Sequence, residues 1–323
     1  MPRATTRVAV LRGGASDEYE VSMRTGTAVL RSLDRLGYTV KDVVITKQGE
    51  WLDGGRVRRP EQVLTGVDVV FLALHGAYGE DGTIQRFLTT HCIPYTGSQA
   101  LPSAIAFHKG LTHKQASEAG VKTAKHHIHT AGAEVTTEHL AALLDDSVDR
   151  LVLKPLQSGS SIDVHIGVTA DEVPSLLTQL EQKYEQVMVE QYLTGREVTV
   201  GVVDRLREQT HYVLPAVEIT PPPEHNFYSY DAKYTGVTTF DCPARVSRTE
   251  RDALLKMAQT VHQALGLRHY SRSDFIIKDG LPYFLEVNTL PGLTEHSLFP
   301  QALGAVGVTY DEFVNHLIEL AAP

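Results

Sequence analysis

The stretch SRSDFIIKDGLPYFLEVNTLPG, residues 271–292, sets two acids and an amide among residues that belong in a buried sheet. Phe275, Ile276, Ile277, Phe284, Leu285 and Val287 have strand character, yet Asp274, Glu286 and Asn288 stand between them. A buried carboxylate without a partner is expensive, so something must meet these oxygens. SRSDFIIK and LPYFLEVN flank Asp279-Gly280 and read as a hairpin. Glu286 and Asn288 are two apart and share one strand face. Asp274 opposes Glu286 only across a three-residue loop or a bulge, because a plain two-residue Asp-Gly turn places Leu285 there. Two carboxylates and an amide oxygen on one face make a hard-oxygen site suited to Mg²⁺. A buried ion-pair network with Arg272 is the alternative, and the close grouping of oxygen ligands favours the metal.

Two further stretches carry weaker signals. KPLQSGSS, residues 154–161, follows the apolar strand LVL. A lysine at a strand end and a Gly-Ser turn can offer an ammonium, backbone N–H groups and hydroxyls to phosphate oxygens. It lacks the GxxxxGK[ST] pattern, and taken alone a surface turn explains it better. VMVEQYLTGREVTV, residues 187–200, ends one apolar strand at Glu190 and begins another at Glu197. Such a connection can give backbone groups to an adenine edge and a carboxylate to ribose hydroxyls. For either residue alone, an exposed acidic linker is the plainer reading.

The elements that must position these residues show in outline. RVAVL (7–11) is a short β-branched strand ending in Gly13-Gly14, followed by a helical pattern over 21–37 and the strand-like YTVKDVVI. DVVFLAL (68–74) is a continuous apolar run suited to a strand covered on both faces. The loop HGAYGEDG, a helix from Thr83 and IPYTG complete a βαβ-type parallel sheet. Its ligand crevice belongs at the C-terminal strand ends, where RGGASDEYE and HGAYGEDG both sit. A second region opens with a helix around Lys109, and a third holds a long helix over 248–265 and the hairpin. PPPEHNFYSYDAKYTG has no clean periodicity and is long for a passive connection, which marks a functional loop.

With 323 residues the chain is long enough for two or three domains. A formal charge of −9 argues against broad nucleic-acid binding. No apolar run reaches the length of a signal peptide or a membrane span, so no membrane partner is expected. Cys92 and Cys242 lie far apart, which fits a reduced, cytosolic protein. The 15 histidines are scattered and read as surface or hydrogen-bonded side chains rather than metal ligands.

Together these pieces resemble a D-alanine–D-alanine ligase of the ATP-grasp superfamily. The resemblance runs through GGASDEYEVS (13–22), ALHGAYGEDGTIQ (73–85), KPLQSGSSIDV (154–164), EQYLTGREVTV (190–200), FYSYDAKY (227–234), RSDF (272–275) and LEVNTLPGLTEHSL (285–298). It implies an α/β fold (α+β overall) in three domains: a Rossmann-like substrate domain over 1–100, a central ATP-grasp subdomain over 101–189, and a C-terminal one over 190–323. By resemblance, Lys109 and Lys154 hold ATP phosphates, with Gly159 and Ser160 in the loop closing over them. Glu190, Gln191 and Leu193 meet adenine, and Glu197 the ribose. Asp274, Glu286 and Asn288 ligate two Mg²⁺ ions, with Mn²⁺ a possible substitute. Arg272 and the Gly292 N–H stabilise the oxyanion of the tetrahedral state. Glu18 binds the first D-alanine's ammonium with His75 nearby, while Ser297 and Leu298 bind the second substrate's carboxylate. Lys233 and Tyr234 sit on a covering loop, and Tyr234, Ser160 and Glu18 form a hydrogen-bonded trio.

The family further implies a cytoplasmic homodimer supplying peptidoglycan precursors. Tyrosine at 234 goes with the dipeptide product. A ligase using D-lactate or D-serine as second substrate is the runner-up. A nucleotide-binding regulator without turnover is the reading from another class, and the intact Glu18, Arg272, Asp274, Glu286 and Asn288 speak against it. The sequence departs from the family at His108, His113, Ser158 and Asp163. Asp163 stands where glycine is usual, so a positive φ is an expected difficulty there.

Overall fold

The computed structural model describes residues 5–144, 149–159, 162–221, 238–295 and 297–322. Ser160, Lys233 and Tyr234, and with them most of the expected covering loop, lie outside the described residues.

The N-terminal third runs β1 (Arg7–Gly13), α1 (Tyr19–Arg35), β2 (Thr39–Ile45), β3 (Trp51–Asp53), β4 (Arg56–Arg58), α2 (Pro60–Val63), β5 (Val69–Leu72) and α3 (Thr83–Thr90). Its sheet has the order β4-β3-β2-β1-β5, with β1 parallel to both β2 and β5 as expected. Val8 to Leu11 and Val69 to Leu72 are buried throughout, the pattern of strands covered on both faces. The antiparallel edge formed by β3 and β4 was not legible in the sequence. IPYTG adds only an isolated bridge from Tyr95 to Val70. At the C-terminal end of β1, Gly13 has φ +91° and approaches so closely that a Cβ would stand 2.2 Å from the Ile45 carbonyl oxygen.

Two adjacent helices follow, α4 (Ala100–Phe107) and α5 (Lys109–Glu118). His108 caps α5, its Nδ1 accepting from Leu111 N at 3.2 Å, so an imidazole takes the capping role an aspartate plays well. The next sheet contains β6 (His126–Thr130), β7 (Leu151–Pro155), β8 (His165–Val168) and β9 (Gln186–Gln191), with α6 (Thr137–Leu143) and α7 (Val173–Leu180) between them in the chain. Its order is β6-β9-β7-β8, antiparallel throughout. Asp163 does adopt φ +53°. Its carboxylate accepts from Tyr184 Oη at 2.7 Å and Lys183 Nζ at 3.1 Å, local bonds that support a conformation aspartate tolerates better than most.

The remaining elements are β10 (Arg196–Asp204), β11 (His211–Val213), β12 (Val217–Thr220), β13 (Thr239–Asp241), α8 (Arg248–Ala264), β14 (Tyr270–Lys278), β15 (Leu281–Asn288), α9 (Leu298–Ala305) and α10 (Tyr310–Ala321). They build a sheet of order β13-β12-β10-β14-β15, with β11 also on β10. A capping box between Ser247 and Glu250 starts α8. Ala106 and Ala116 of α4 and α5 share a core with Phe275, Phe284 and Val261, so these helices pack on this last sheet. The chain's end returns to its beginning. On α10, Asp311 pairs with Arg35 at 2.6 Å, and Asn315 Oδ1 accepts from Tyr38 Oη at 2.8 Å.

The hairpin resolves the register question. Asp279 and Gly280 form a two-residue turn with φ +52° and +74°, as a type I′ hairpin turn requires, and Lys278 pairs with Leu281. The three-residue loop is therefore not formed. A bulge supplies the extra residue instead. Phe275 pairs with Phe284 but Asp274 pairs with Glu286, leaving Leu285 over, and Arg272 then faces Asn288.

Candidate active site

A cavity of about 430 Å³ opens between the four-stranded sheet and the last sheet. Val152, Lys154, Ile166, Glu190, Gln191 and Leu193 line it from one side. Glu197, Arg272, Asp274, Ile276, Leu285 and Glu286 line it from the other, with Lys109 and Leu298 at its margin. Aliphatic side chains from both sheets give two apolar walls for a flat ring, and Lys154, Glu190, Arg272, Asp274 and Glu286 bring charge to the same cavity. Lys154 Nζ lies 2.7 Å from Glu190 Oε2, both side chains under a tenth exposed. Burial alone would raise the pKa of Glu190, but the Lys154 ammonium together with the neighbouring His113 and His126 outweighs it and holds the carboxyl below its ordinary value. Lys109 Nζ donates to the Ser158 carbonyl at 2.7 Å and lies 3.6 Å from Glu286 Oε2.

Behind this wall sits His113, fully buried. Its Nε2 donates to the carbonyl of the bulge residue Leu285 at 2.7 Å, and burial pushes its pKa down to about 4. Its Nδ1 and Glu190 Oε1 lie 3.8 Å apart, both buried and neither with a hydrogen-bond partner among the described residues.

A smaller space of about 40 Å³ adjoins the first and shares Lys109, Ser158 and Glu286 with it. Glu18, Glu80, Gly159, Asn288 and Thr289 line the rest. Glu18 is the N-cap residue of α1, and its carboxylate lies between two loops. A Cβ on Gly76, which has φ +68°, would stand 2.8 Å from Glu18 Oε2, and one on Gly159 2.9 Å from it, so a larger residue at 159 must push that carboxylate aside. His75 is buried with both ring nitrogens engaged, Nδ1 donating to the Leu290 carbonyl at 2.8 Å and Nε2 2.9 Å from Thr25 Oγ1. Burial lowers its pKa. It therefore braces the 73–80 loop against the end of β15 rather than offering a free nitrogen.

Glu80 was not singled out from sequence, yet it ties this centre together. Its Oε1 accepts from the backbone N–H groups of Thr289 and Leu290 at 3.1 and 3.0 Å, and Oε2 from Gly76 N at 2.9 Å. Burial, with the charge of Glu18 behind it, pushes its pKa up to about 7. Between about pH 4.5 and 7 the folded protein thus keeps a proton that the unfolded chain has released. Stability is expected to fall as pH rises through that window, by at most about 1.4 kcal/mol per pH unit for one group. Urea midpoints followed across this range should slope downward in the wild type and lose that component in Glu80→Gln.

Asp274 is 9% exposed and heavily engaged. Thr199 Oγ1 donates to it at 2.6 Å, Arg272 forks onto it through Nε and Nη2 at 3.0 and 2.9 Å, and Asn288 Nδ2 reaches it at 3.2 Å. The ion pair with Arg272 that the sequence raised as an alternative is therefore present. Glu286 stands directly opposite and is 38% exposed. The next loop carries Gly292, where a Cβ would stand 3.1 Å from Ser297 Oγ. Ser297 is the N-cap residue of α9, its hydroxyl bonded to Thr294 N at 3.0 Å, and Leu298 is the first helical residue. A helix N-terminus of this kind favours a carboxylate.

Most of the described candidates thus line two adjoining spaces, while His75, Gly292 and Ser297 line neither. Glu80 joined them without a sequence signal strong enough to find it, and Ser158 and His113, which the sequence marks only as departures from the family, line or back the same spaces. HGAYGEDG marked a loop, but nothing local says that Glu80 reaches residues 289 and 290.

Comparison with known proteins fits this geometry. Residues 117–319 match the D-ala D-ala ligase C-terminus family, and residues 7–64 and 55–98 the D-ala D-ala ligase N-terminus family. A D-alanine–D-alanine ligase of Syntrophotalea carbinolica is 39% identical over 313 residues, covering 97% of this chain and 95% of its own. The crystal structure of a D-alanine–D-alanine ligase from Bacillus anthracis complexed with ATP superposes with a TM-score of 0.81 at 30% identity, over 98% of this chain and 97% of its own. The VanG D-Ala:D-Ser ligase from Enterococcus faecalis gives a TM-score of 0.84 at 27% identity, over 98% of this chain and all of its own. The architecture is that of the ATP-grasp ligases, and the chain belongs to the D-alanine–D-alanine ligase family.

Proposed function

We propose that the chain joins two D-alanines at the expense of ATP, giving D-alanyl-D-alanine, ADP and phosphate. The observation that carries this reading is the convergence of Lys109, Lys154, Arg272, Asp274 and Glu286 on one cavity in a member of this family. Lys109 and Lys154 hold phosphate oxygens, and the apolar walls take the adenine, with Glu190 and Gln191 at its edge and Glu197 at the ribose. Asp274, Glu286 and Asn288 offer the oxygen donors that Mg²⁺ prefers. Asp274 already accepts four hydrogen bonds, so taking an ion requires Arg272 or Asn288 to turn away from it. When bound, Mg²⁺ supplies neutralisation of phosphate charge.

The first D-alanine, its ammonium at Glu18, attacks the γ-phosphorus through a carboxylate oxygen, and the bond to ADP breaks. The second D-alanine's amine then attacks the acyl carbon of this acyl phosphate, phosphate leaves, and the amine gives up a proton. Arg272, freed from Asp274, and the Gly292 N–H face the oxyanion of the tetrahedral state. Ser297 and the α9 N-terminus hold the second carboxylate. Ser160, Lys233 and Tyr234 complete the reading from sequence, as parts of the loops that exclude water. The setting we infer is a cytoplasmic homodimer feeding peptidoglycan assembly. No described helix is long and apolar enough to cross a membrane.

The test offers purified protein D-alanine alone, or D-alanine with D-lactate or D-serine, under ATP and Mg²⁺, and follows ADP and product mass. D-alanyl-D-alanine as the main product is expected. A depsipeptide or D-alanyl-D-serine instead would move the reading to the other acceptor, and ATP binding without any product would replace it with a regulator.

A further inference from the structure

At the end of the β10–β14 ladder away from the cavities, three side chains converge that are scattered in sequence. Asp204 closes β10, His211 opens β11 opposite it, and His262 reaches over from α8. His211 Nδ1 lies 2.8 Å and His262 Nε2 3.0 Å from one oxygen, Asp204 Oδ1. One donor atom from each residue lies within 4.8 Å of the others. On β10 the residue opposite Asp274 is Thr199, so the cluster stands about 17 Å of strand away from that carboxylate.

The cluster is held from behind. His262 Nδ1 lies 2.8 Å from Ser271 Oγ, Asp204 Oδ2 accepts from His269 N at 2.5 Å, and His316 Nε2 donates to the Asp204 carbonyl at 2.7 Å. Bonds of this kind fix ring orientation and tautomer around a metal. Burial opposes the charge on Asp204, but hydrogen bonds from His262 and His211 outweigh it and hold the carboxyl down at about 2. The His262 side chain is 0% exposed, whereas His211 and Asp204 keep 19% and 15%, so the cluster is anchored on one side and open to water on the other. In the turn joining Asp204 to His211, Arg205, Arg207 and Glu208 take φ of +54°, +50° and +63°. Non-glycine residues accept that strain where the surroundings over-determine it.

We propose that Asp204, His211 and His262 form a second divalent-metal site, separate from the active-site cavities and selective for a Zn²⁺-like ion. Two imidazole nitrogens and one carboxylate oxygen suit zinc rather than magnesium, and water takes the remaining position. Ligands of a tetrahedral ion stand roughly 3.3 Å apart, so the rings must retreat from Asp204 by a few tenths of an ångström and settle toward that spacing from each other, starting within 4.8 Å. As the ion enters, a neutral ring moves the proton that faces Asp204 to its other nitrogen, and a cationic ring releases one. Such an ion clamps β10, β11 and α8 together, with β14 and α10 behind them.

The test titrates full-length protein, stripped by chelator and kept in excess Mg²⁺, with Co²⁺ alone. An intense visible band saturating at one equivalent and displaced by Zn²⁺ is expected in the wild type. It should vanish in His211→Ala and in His211→Gln, the second of which keeps a hydrogen bond to Asp204 and the fold. Ligase turnover in both variants should stay within about twofold. Zn²⁺ should raise the melting temperature of the wild type and leave that of His211→Gln unchanged. No such band, or a band unchanged in His211→Gln, overturns the proposal and leaves a purely hydrogen-bonded junction.

Discussion

Glu286→Gln is expected to lower kcat by about a hundredfold or more, with the urea midpoint almost unmoved. The reason lies in how open this carboxylate is to water. Its side chain is 38% exposed, and the buried Lys109 ammonium 3.6 Å away keeps its bond to the Ser158 carbonyl when glutamine replaces the charge. Yet Glu286 faces both cavities, opposite Asp274, where phosphate charge must be neutralised. Glutamine keeps the volume and one oxygen but removes the charge. The Mg²⁺ concentration giving half-maximal rate should rise in parallel. Asn288→Asp, which alters the third ligand at similar volume, should likewise harm turnover more than folding. Asp274→Asn differs, because it also disturbs the bonds to Thr199 and Arg272 and should lose stability together with activity. Equal loss of stability and turnover in Glu286→Gln would favour the ion-pair alternative over the metal.

Lys154→Met should weaken both the fold and ATP binding, and a double variant should separate the two. Lys154 and Glu190 are paired at 2.7 Å with both side chains under a tenth exposed, and Glu190 Oε1 has no hydrogen-bond partner among the described residues. Removing the ammonium strands a buried carboxylate, a loss of about 3–5 kcal/mol. Lys154→Met/Glu190→Leu removes both charges and should recover most of that stability, since replacing a whole buried pair by apolar side chains is often neutral. ATP affinity should not recover. Loss of one charge-assisted bond to phosphate corresponds to roughly 10- to 100-fold in Kd. Stability from urea unfolding and Kd from calorimetry read the two effects independently. Recovery of ATP affinity in the double variant would remove Lys154 from the phosphate site.

The hairpin shows what a sequence conveys and what it withholds. The need to put Asp274, Glu286 and Asn288 on one face follows from spacing alone, and it demanded one extra residue. Where that residue sits depended on distant contacts. Asp279-Gly280 satisfies its own turn preference with two residues, so the irregularity moves to Leu285, whose carbonyl accepts from His113 Nε2. The parallel β1, β2 and β5 were legible because long apolar runs announce strands buried on both faces. The short β3 and β4 carry no such signal. Nor does local sequence reveal that Glu80 binds the backbone at 289 and 290, that Asp311 returns to Arg35, or that Asp204, His211 and His262 meet. These are products of long-range topology, which periodicity does not encode. His108 and Asp163 carry the converse lesson, since unusual residues there keep the local geometry by other bonds.

The central claim is ligation through an acyl phosphate, and one isotope measurement tests it most directly. D-alanine carrying ¹⁸O in its carboxylate is supplied with unlabelled ATP and Mg²⁺, and the released phosphate is weighed by mass spectrometry. Attack of the carboxylate on the γ-phosphorus transfers one labelled oxygen, so one ¹⁸O per phosphate should appear for each dipeptide formed. Dipeptide formation with unlabelled phosphate, or ATP hydrolysis without dipeptide, would contradict the account.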